Sequence, residues 1–121
     1  AAGVTAMAET TESAKSGAWK FSELAAKRKA TGRPWLQFFD NATMFAGVYA
    51  IDAGGEDKQQ PHQQDEMYYV VSGSAKFRAG EEELAAEAGS ILFVKAGVAH
   101  RFHSVTQPLE VLVFFTKAKT S

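Results

Sequence analysis

The hydrophobic texture of the chain changes at Pro34. Ahead of it, residues 1–18 are small and polar with no apolar period, and read as a loosely attached arm. A short N-terminal helix follows. Ser22 suits its N-cap, Glu23 its first turn, where a carboxylate complements the helix dipole, and Lys27–Lys29 its far end. Gly32 and Arg33-Pro34 stop it. Beyond Pro34 come short β-type runs: Trp35–Phe39, Thr43–Ile51, Glu66–Val71, Ala75–Ala79, Glu82–Ala86, Ile91–Val94, His100–His103 and Leu109–Thr116. Asp40-Asn41, Gly54-Gly55, Ser72-Gly73-Ser74, Ala79-Gly80, Ala88-Gly89 and Gln107-Pro108 punctuate them as turns. About eight strands behind one helix predict a small all-β sandwich or barrel rather than an α/β fold.

Several of these strands are apolar on both faces. Met67, Tyr69 and Val71 alternate with Tyr68 and Val70, and Val111–Phe115 has no polar position. A half-solvated sheet would alternate apolar with polar residues. The outer face therefore needs a cover: the helix and loops, or, as the favoured expectation, a second copy in a homodimer.

Composition narrows the function classes. At 121 residues with 45% hydrophobic and 22% charged side chains, the chain has one globular domain's worth of material, expected over 19–121. A net charge of -1 supplies no basic footprint for nucleic acid or an anionic membrane. The short cluster Lys27, Arg28, Lys29 and Arg33 reads as a solvated helix face. With no cysteine, disulfides, thiol nucleophiles and cysteine-based metal clusters are excluded. No apolar stretch approaches a membrane span, and no charged-then-apolar leader opens the chain. The expected location is the cytoplasm. Ala1–Ala6 ahead of Met7 read either as an added leader or as the mature end left by a cleavage.

Chemistry rests on few side chains. Of the 3 histidines, His62 lies in Gln59-Gln60-Pro61-His62-Gln63-Gln64-Asp65-Glu66. Where that segment is extended, Gln60, His62, Gln64 and Glu66 share a side, bringing together an imidazole, a carboxylate and amide oxygens, a set that metals of intermediate hardness accept. His100 shares its parity with Phe102. His103, of opposite parity, is expected to face outward, as is Asp65.

The spacing carries a resemblance. Gly54, five residues, Gln60, one residue, His62, three residues, Glu66, six residues, Gly73 is similar to the first motif of the cupin superfamily. Gly89, five residues, Lys95, one residue, Gly97, two residues, His100, three residues, Ser104 resembles the second. Lys95 stands for the motif proline, Ser104 for its asparagine, and Gln60 for its first histidine. The short gap between the motifs is typical of small single-domain microbial, here bacterial, cupins. The resemblance implies a jelly roll, the double-stranded β-helix barrel, over about residues 34–116. It also implies one divalent transition metal (iron, zinc, manganese or nickel) on Gln60, His62, Glu66 and His100, with Gln64 the rival amide. A metal so held leaves a net positive site, which favours a small anionic or oxygen-rich substrate. Glu66 and Tyr68 are the expected catalytic groups, and Met44, Val48, Tyr68, Phe102 and Phe114 the expected pocket lining. The two-histidine, one-carboxylate set suits non-haem iron. A dioxygenase-type oxidoreductase acting on an enol, diol or diketone is therefore the leading expectation. A non-redox isomerase, epimerase or lyase follows, because a glutamine-bearing set also resembles the zinc site of cupin-type mannose-6-phosphate isomerases. A non-catalytic ligand-binding or sensing cupin is the third.

Overall fold

A computed structural model describes residues 15–59 and 61–117 of the chain. Residues 1–14 of the expected arm, and Gln60, lie outside the described residues. The elements are helix α1 (Phe21–Thr31) and strands β1 (Trp35–Asp40), β2 (Met44–Ile51), β3 (Glu66–Ala79), β4 (Glu82–Glu87), β5 (Ile91–Val94) and β6 (His100–Thr116).

Helix α1 ends as its sequence requires. Gly32 adopts a φ of 72° and returns its N–H to the Lys29 carbonyl at 3.1 Å, the left-handed cap that glycine takes without strain. Its start differs from expectation. Lys20 holds the N-cap position without a side-chain cap, and Ser22 sits inside the first turn. Aromatic packing sets the entry instead: Trp19 and Phe21 join Leu24 against Phe38, Ala46 and Val48. Burial of these large side chains outweighs a single capping hydrogen bond.

The antiparallel sheet runs in the order β1-β2-β6-β3-β4, with β5 paired to β3, and folds over itself as a jelly-roll barrel. Two expected pairs of strands are in fact single long ones. Ser72-Gly73-Ser74 and Gln107-Pro108 are bends within β3 and β6, where their pairing slips at Val70/Ser72, Ser72/Ser74 and Ser74/Lys76. Gly73 is obligatory at this corner: its φ is 98° and a Cβ would collide with the Pro108 carbonyl oxygen. Such bulges turn a strand without ending its ladder. The first half of β3 then pairs with β5 and the end of β6, and its second half with β4 and the start of β6.

Both faces of this sheet are apolar for separate reasons. The inner face holds the core, with Tyr68, Phe77, Phe102, Leu109 and Val111 essentially inaccessible. Helix α1 covers the outer face of β1 and β2. Met67, Tyr69, Ile91 and Phe93, on the outer face of β3 and β5, remain exposed. No helix among the described residues is long and apolar enough to cross a membrane.

Candidate metal centre

Two loops at one end of the barrel carry the chemistry. The first joins β2 to β3 and holds His62; the second joins β5 to β6 and ends at His100. Hydrogen bonds lace them together. The Gly97 N–H donates to the His62 carbonyl at 2.8 Å, and the Ala96 N–H to Asp65 Oδ1 at 2.8 Å. Asp65 thus faces away from the centre but braces it. Glu66 opens β3, so the period of two carries Tyr68 to its side, and both are buried.

His62, Glu66 and His100 each offer a ligand atom within 4.8 Å of the others. His62 Nε2 stands 3.5 Å from Glu66 Oε2, and His100 Nε2 stands 3.2 Å from Glu66 Oε1. Glu66 and His100 are 1% and 7% exposed, so desolvation matters here. His100 Nδ1–H donates to the Val98 carbonyl at 2.8 Å. That fixes the tautomer and leaves a lone pair on Nε2. Burial disfavours charging this imidazole, but the Glu66 carboxylate, the Val98 carbonyl and the more distant Asp57 outweigh it and hold the pKa above the usual histidine range. Burial, then the Glu66 charge, pushes the Tyr68 hydroxyl far up, so it stays protonated and donates to Glu66 Oε1 at 2.5 Å.

The donor set fits a divalent transition metal. Among the described residues, Glu66 Oε2 and His100 Nε2 are fully buried atoms without a hydrogen-bond partner, an arrangement that is costly unless something else satisfies them. Ligand atoms about 2.1 Å from one cation stand roughly 3.0–3.4 Å apart, close to the two histidine–carboxylate separations of 3.5 and 3.2 Å. An imidazole pair with one carboxylate also matches the preferences of iron, zinc, manganese and nickel.

Among the described residues, which do not include Gln60, the glutamine that approaches the centre is Gln59. Its Oε1 lies 3.4 Å from His62 Nε2. Asp57 sets its orientation by accepting Gln59 Nε2 at 3.0 Å and the Gln59 backbone N–H at 3.1 Å. The same carboxylate accepts the Tyr49 hydroxyl at 2.7 Å and the Phe102 N–H at 2.8 Å. Counting alternate positions missed this residue because an Asx turn at Asp57 breaks the alternation. The usable signal was Asp57-Lys58-Gln59 itself. Gln64 is half-buried, with no hydrogen bond to the three ligands among the described residues. His103 points outward as expected and pairs with Glu83 at 2.6 Å.

The expected pocket lining divides between two places. Tyr68 and Phe102 pack beside the centre, with ring centroids 5.1 Å apart. Met44, Val48 and Phe114 do not: they lie on the outer face, toward helix α1. The inward side of β2 carries Phe45 and Tyr49 instead. With Trp35, Val113, Phe115, Gln59 and His62 they line a chamber of about 240 Å³. His62, with its side chain 31% exposed, is the ligand at the chamber's edge.

Comparison with known proteins converges on one family. A family model described as Cupin domain matches residues 47–115. An uncharacterized protein of Streptomyces coelicolor is 46% identical over 99 residues, covering 82% of this chain and 94% of its own length. Among solved structures, a Thermus thermophilus protein superposes with a TM-score of 0.67 at 24% identity, over 84% of this chain and 98% of its own. The dimethylsulfoniopropionate (DMSP) lyase of Ruegeria pomeroyi superposes with 0.59 at 22% identity, over 67% of this chain and 42% of its own.

Proposed function

The chain belongs to the cupin domain family, and from that membership we propose that it is a metal-dependent enzyme acting on a small oxygen-bearing molecule. One observation carries the reading: two imidazoles and a carboxylate converge at a buried point where, among the described residues, Glu66 Oε2 and His100 Nε2 have no hydrogen-bond partner and approach only the other members of the cluster. His62, Glu66 and His100 would hold one divalent cation, with a glutamine amide beside them. When bound, the metal supplies Lewis-acid polarisation of a substrate oxygen and, as iron, O₂ activation.

The chain's own groups do the rest. Tyr68 holds its proton and fixes the Glu66 carboxylate through their 2.5 Å hydrogen bond. Val98 fixes the His100 ring, and the aromatic chamber walls give the His62 edge an apolar flank. The donor set favours dioxygenase-type oxidation of an enol-, diol- or diketone-like substrate. A second reading, a non-redox lyase or isomerase, draws on the proton-bearing Tyr68 beside Glu66 and on the likeness in fold to the DMSP lyase. Metal analysis of protein purified without a histidine tag, followed by O₂-uptake measurement, separates these readings. Iron with substrate-dependent O₂ uptake supports the first. Zinc with turnover but no uptake supports the second. A metal-free protein that binds ligand without turnover is a sensing cupin and removes the enzymatic reading.

Two further expectations follow from the fold. The core is closed without metal, so chelation should lower the melting temperature by about 10 °C without unfolding the chain at 25 °C. Loss of the cooperative β-type transition on adding chelator would contradict this. The second concerns assembly. Met67 pairs with Phe93 and Tyr69 with Ile91 across β3 and β5, forming a cross-strand apolar patch whose members are 41% to 66% exposed. Patches like this mark interaction sites, and a homodimer is the proposed cover. Analytical ultracentrifugation should give a dimer mass, and Phe93→Glu a folded monomer. A monomer across micromolar concentrations for the unaltered chain would refute the dimer.

A further inference from the structure

The chamber beside His62 is polar at one end only. Phe45 and Phe115 stack with centroids 4.4 Å apart and planes 12° from parallel, and Trp35 meets Phe115 edge-on at 6.0 Å. Trp35 can lie across β2 because Gly47 has no side chain; a Cβ there would collide with the indole. Tyr49 contributes its ring but not a free hydroxyl, which is already donated to Asp57 at 2.7 Å. Among the described residues, no lysine or arginine lines the space. The Lys117 ammonium, 5.6 Å from the Phe45 ring centroid, is paired with Asp40 at 2.7 Å. Among the described residues, polar contact is thus available from His62 and Gln59 alone.

We infer that this chamber takes the flat, unsaturated body of the ligand, about one ring in size, with its oxygen donors on the single edge that faces His62 and Gln59. The class is a vicinally oxygenated arene or cyclic enol rather than a sugar phosphate or polyhydroxy acid. The oxygen-bearing edge rests on the metal reading above; the body rests on the chamber alone. A flat ring gains offset and edge-on contacts with Trp35, Phe45 and Phe115. A polyol would bury hydroxyls against carbon with nothing to accept them, and a phosphate carried on the body, away from the His62 edge, would meet no lysine or arginine among the described residues. The volume of about 240 Å³ falls below the roughly 300–1,000 Å³ usual for larger ligands, which sets the one-ring limit.

The test titrates zinc-loaded and metal-free protein with 1,2-dihydroxybenzene, phenol and fructose 6-phosphate. Binding is read by calorimetry and by Trp35 fluorescence in a Trp19→Phe background. Dihydroxybenzene is expected to bind the loaded protein at least about tenfold tighter than fructose 6-phosphate, and phenol to bind loaded and metal-free protein alike. Trp35→Leu and Phe45→Leu should each weaken phenol about tenfold with zinc content unchanged. Gly47→Ala should do the same, and the two larger-to-smaller variants keep the test decisive if it fails to fold. Tighter binding of fructose 6-phosphate, or unchanged phenol affinity in folded Trp35→Leu, overturns the inference. If no zinc is retained yet phenol binding still depends on Trp35, the chamber assignment stands and the metal reading falls. If zinc is retained and phenol does not bind, the reverse holds.

Discussion

Replacing Glu66 with alanine is expected to cost the protein its metal, with affinity falling by more than about 100-fold, and His100→Ala is expected to follow closely. Loss of a group that merely orients a ligand already costs roughly 10–100-fold, and these changes delete ligands outright. Glu66 is the proposed centre's only negative charge, and it is 1% exposed, so water has poor access to take its place. Its removal also leaves the Tyr68 hydroxyl, which now donates to it at 2.5 Å, with only the longer 3.3–3.4 Å contacts to the Gln59 amide. His100 is held in one tautomer by Val98 and is similarly enclosed. His62 has a side chain 31% exposed, so a water can partly replace it and His62→Ala should lose less. Occupancy measured by native mass spectrometry after dialysis against a weak chelator gives the order Glu66→Ala, His100→Ala, His62→Ala. Full retention in either histidine variant would remove the site assignment altogether.

Spacing made this cluster legible before any geometry. Glycines at the turns, a histidine four residues ahead of Glu66 and a second at His100 were enough to expect a barrel with the cluster at its mouth, and His62, Glu66 and His100 do converge. Alternation failed in two places, for different reasons. Strand β2 is apolar on both faces, so a period of two cannot say which face is inward. The tie is broken by helix α1 on the Ala46 and Val48 side and by Trp35 lying over Gly47 on the other. Neither contact is local in sequence, so Met44 and Val48 pointed to the wrong side of the sheet. The loop before β3 carries an Asx turn at Asp57, so parity there could not point to Gln59, although it did put His62 and Glu66 on one side. Strand number was overcounted because a glycine or proline at a barrel corner looks the same in sequence whether the ladder stops or only bends.

The glutamine beside the proposed metal centre is where that loop matters most. Motif spacing assigns the amide to Gln60, whereas the hydrogen bonds turn Gln59 Oε1 toward His62. Gln59→Ala is therefore expected to weaken metal binding about tenfold, less than any histidine change, because water can replace a neutral amide oxygen. Gln60→Ala, measured beside it, tests the assignment that motif spacing makes. Asp57→Ala should reproduce the loss seen in Gln59→Ala, since Asp57 accepts Gln59 Nε2 at 3.0 Å and so keeps Oε1 facing the histidine. Asp57 is a positioning residue, and it has a second effect that separates it from Gln59. Its carboxylate also anchors the Tyr49 hydroxyl and the Phe102 N–H, linking β2 and β6 across the barrel mouth. Leaving these donors unpaired should cost about 3 kcal/mol of stability, visible as a lower denaturation midpoint in metal-free protein, where Gln59→Ala is nearly neutral. Metal occupancy and denaturant midpoints of the three variants, measured in parallel, decide the matter. If Gln60→Ala loses more metal than Gln59→Ala, the hydrogen-bond assignment is wrong and the spacing rule was right. If Asp57→Ala keeps its metal while losing stability, Asp57 braces the barrel without orienting the amide.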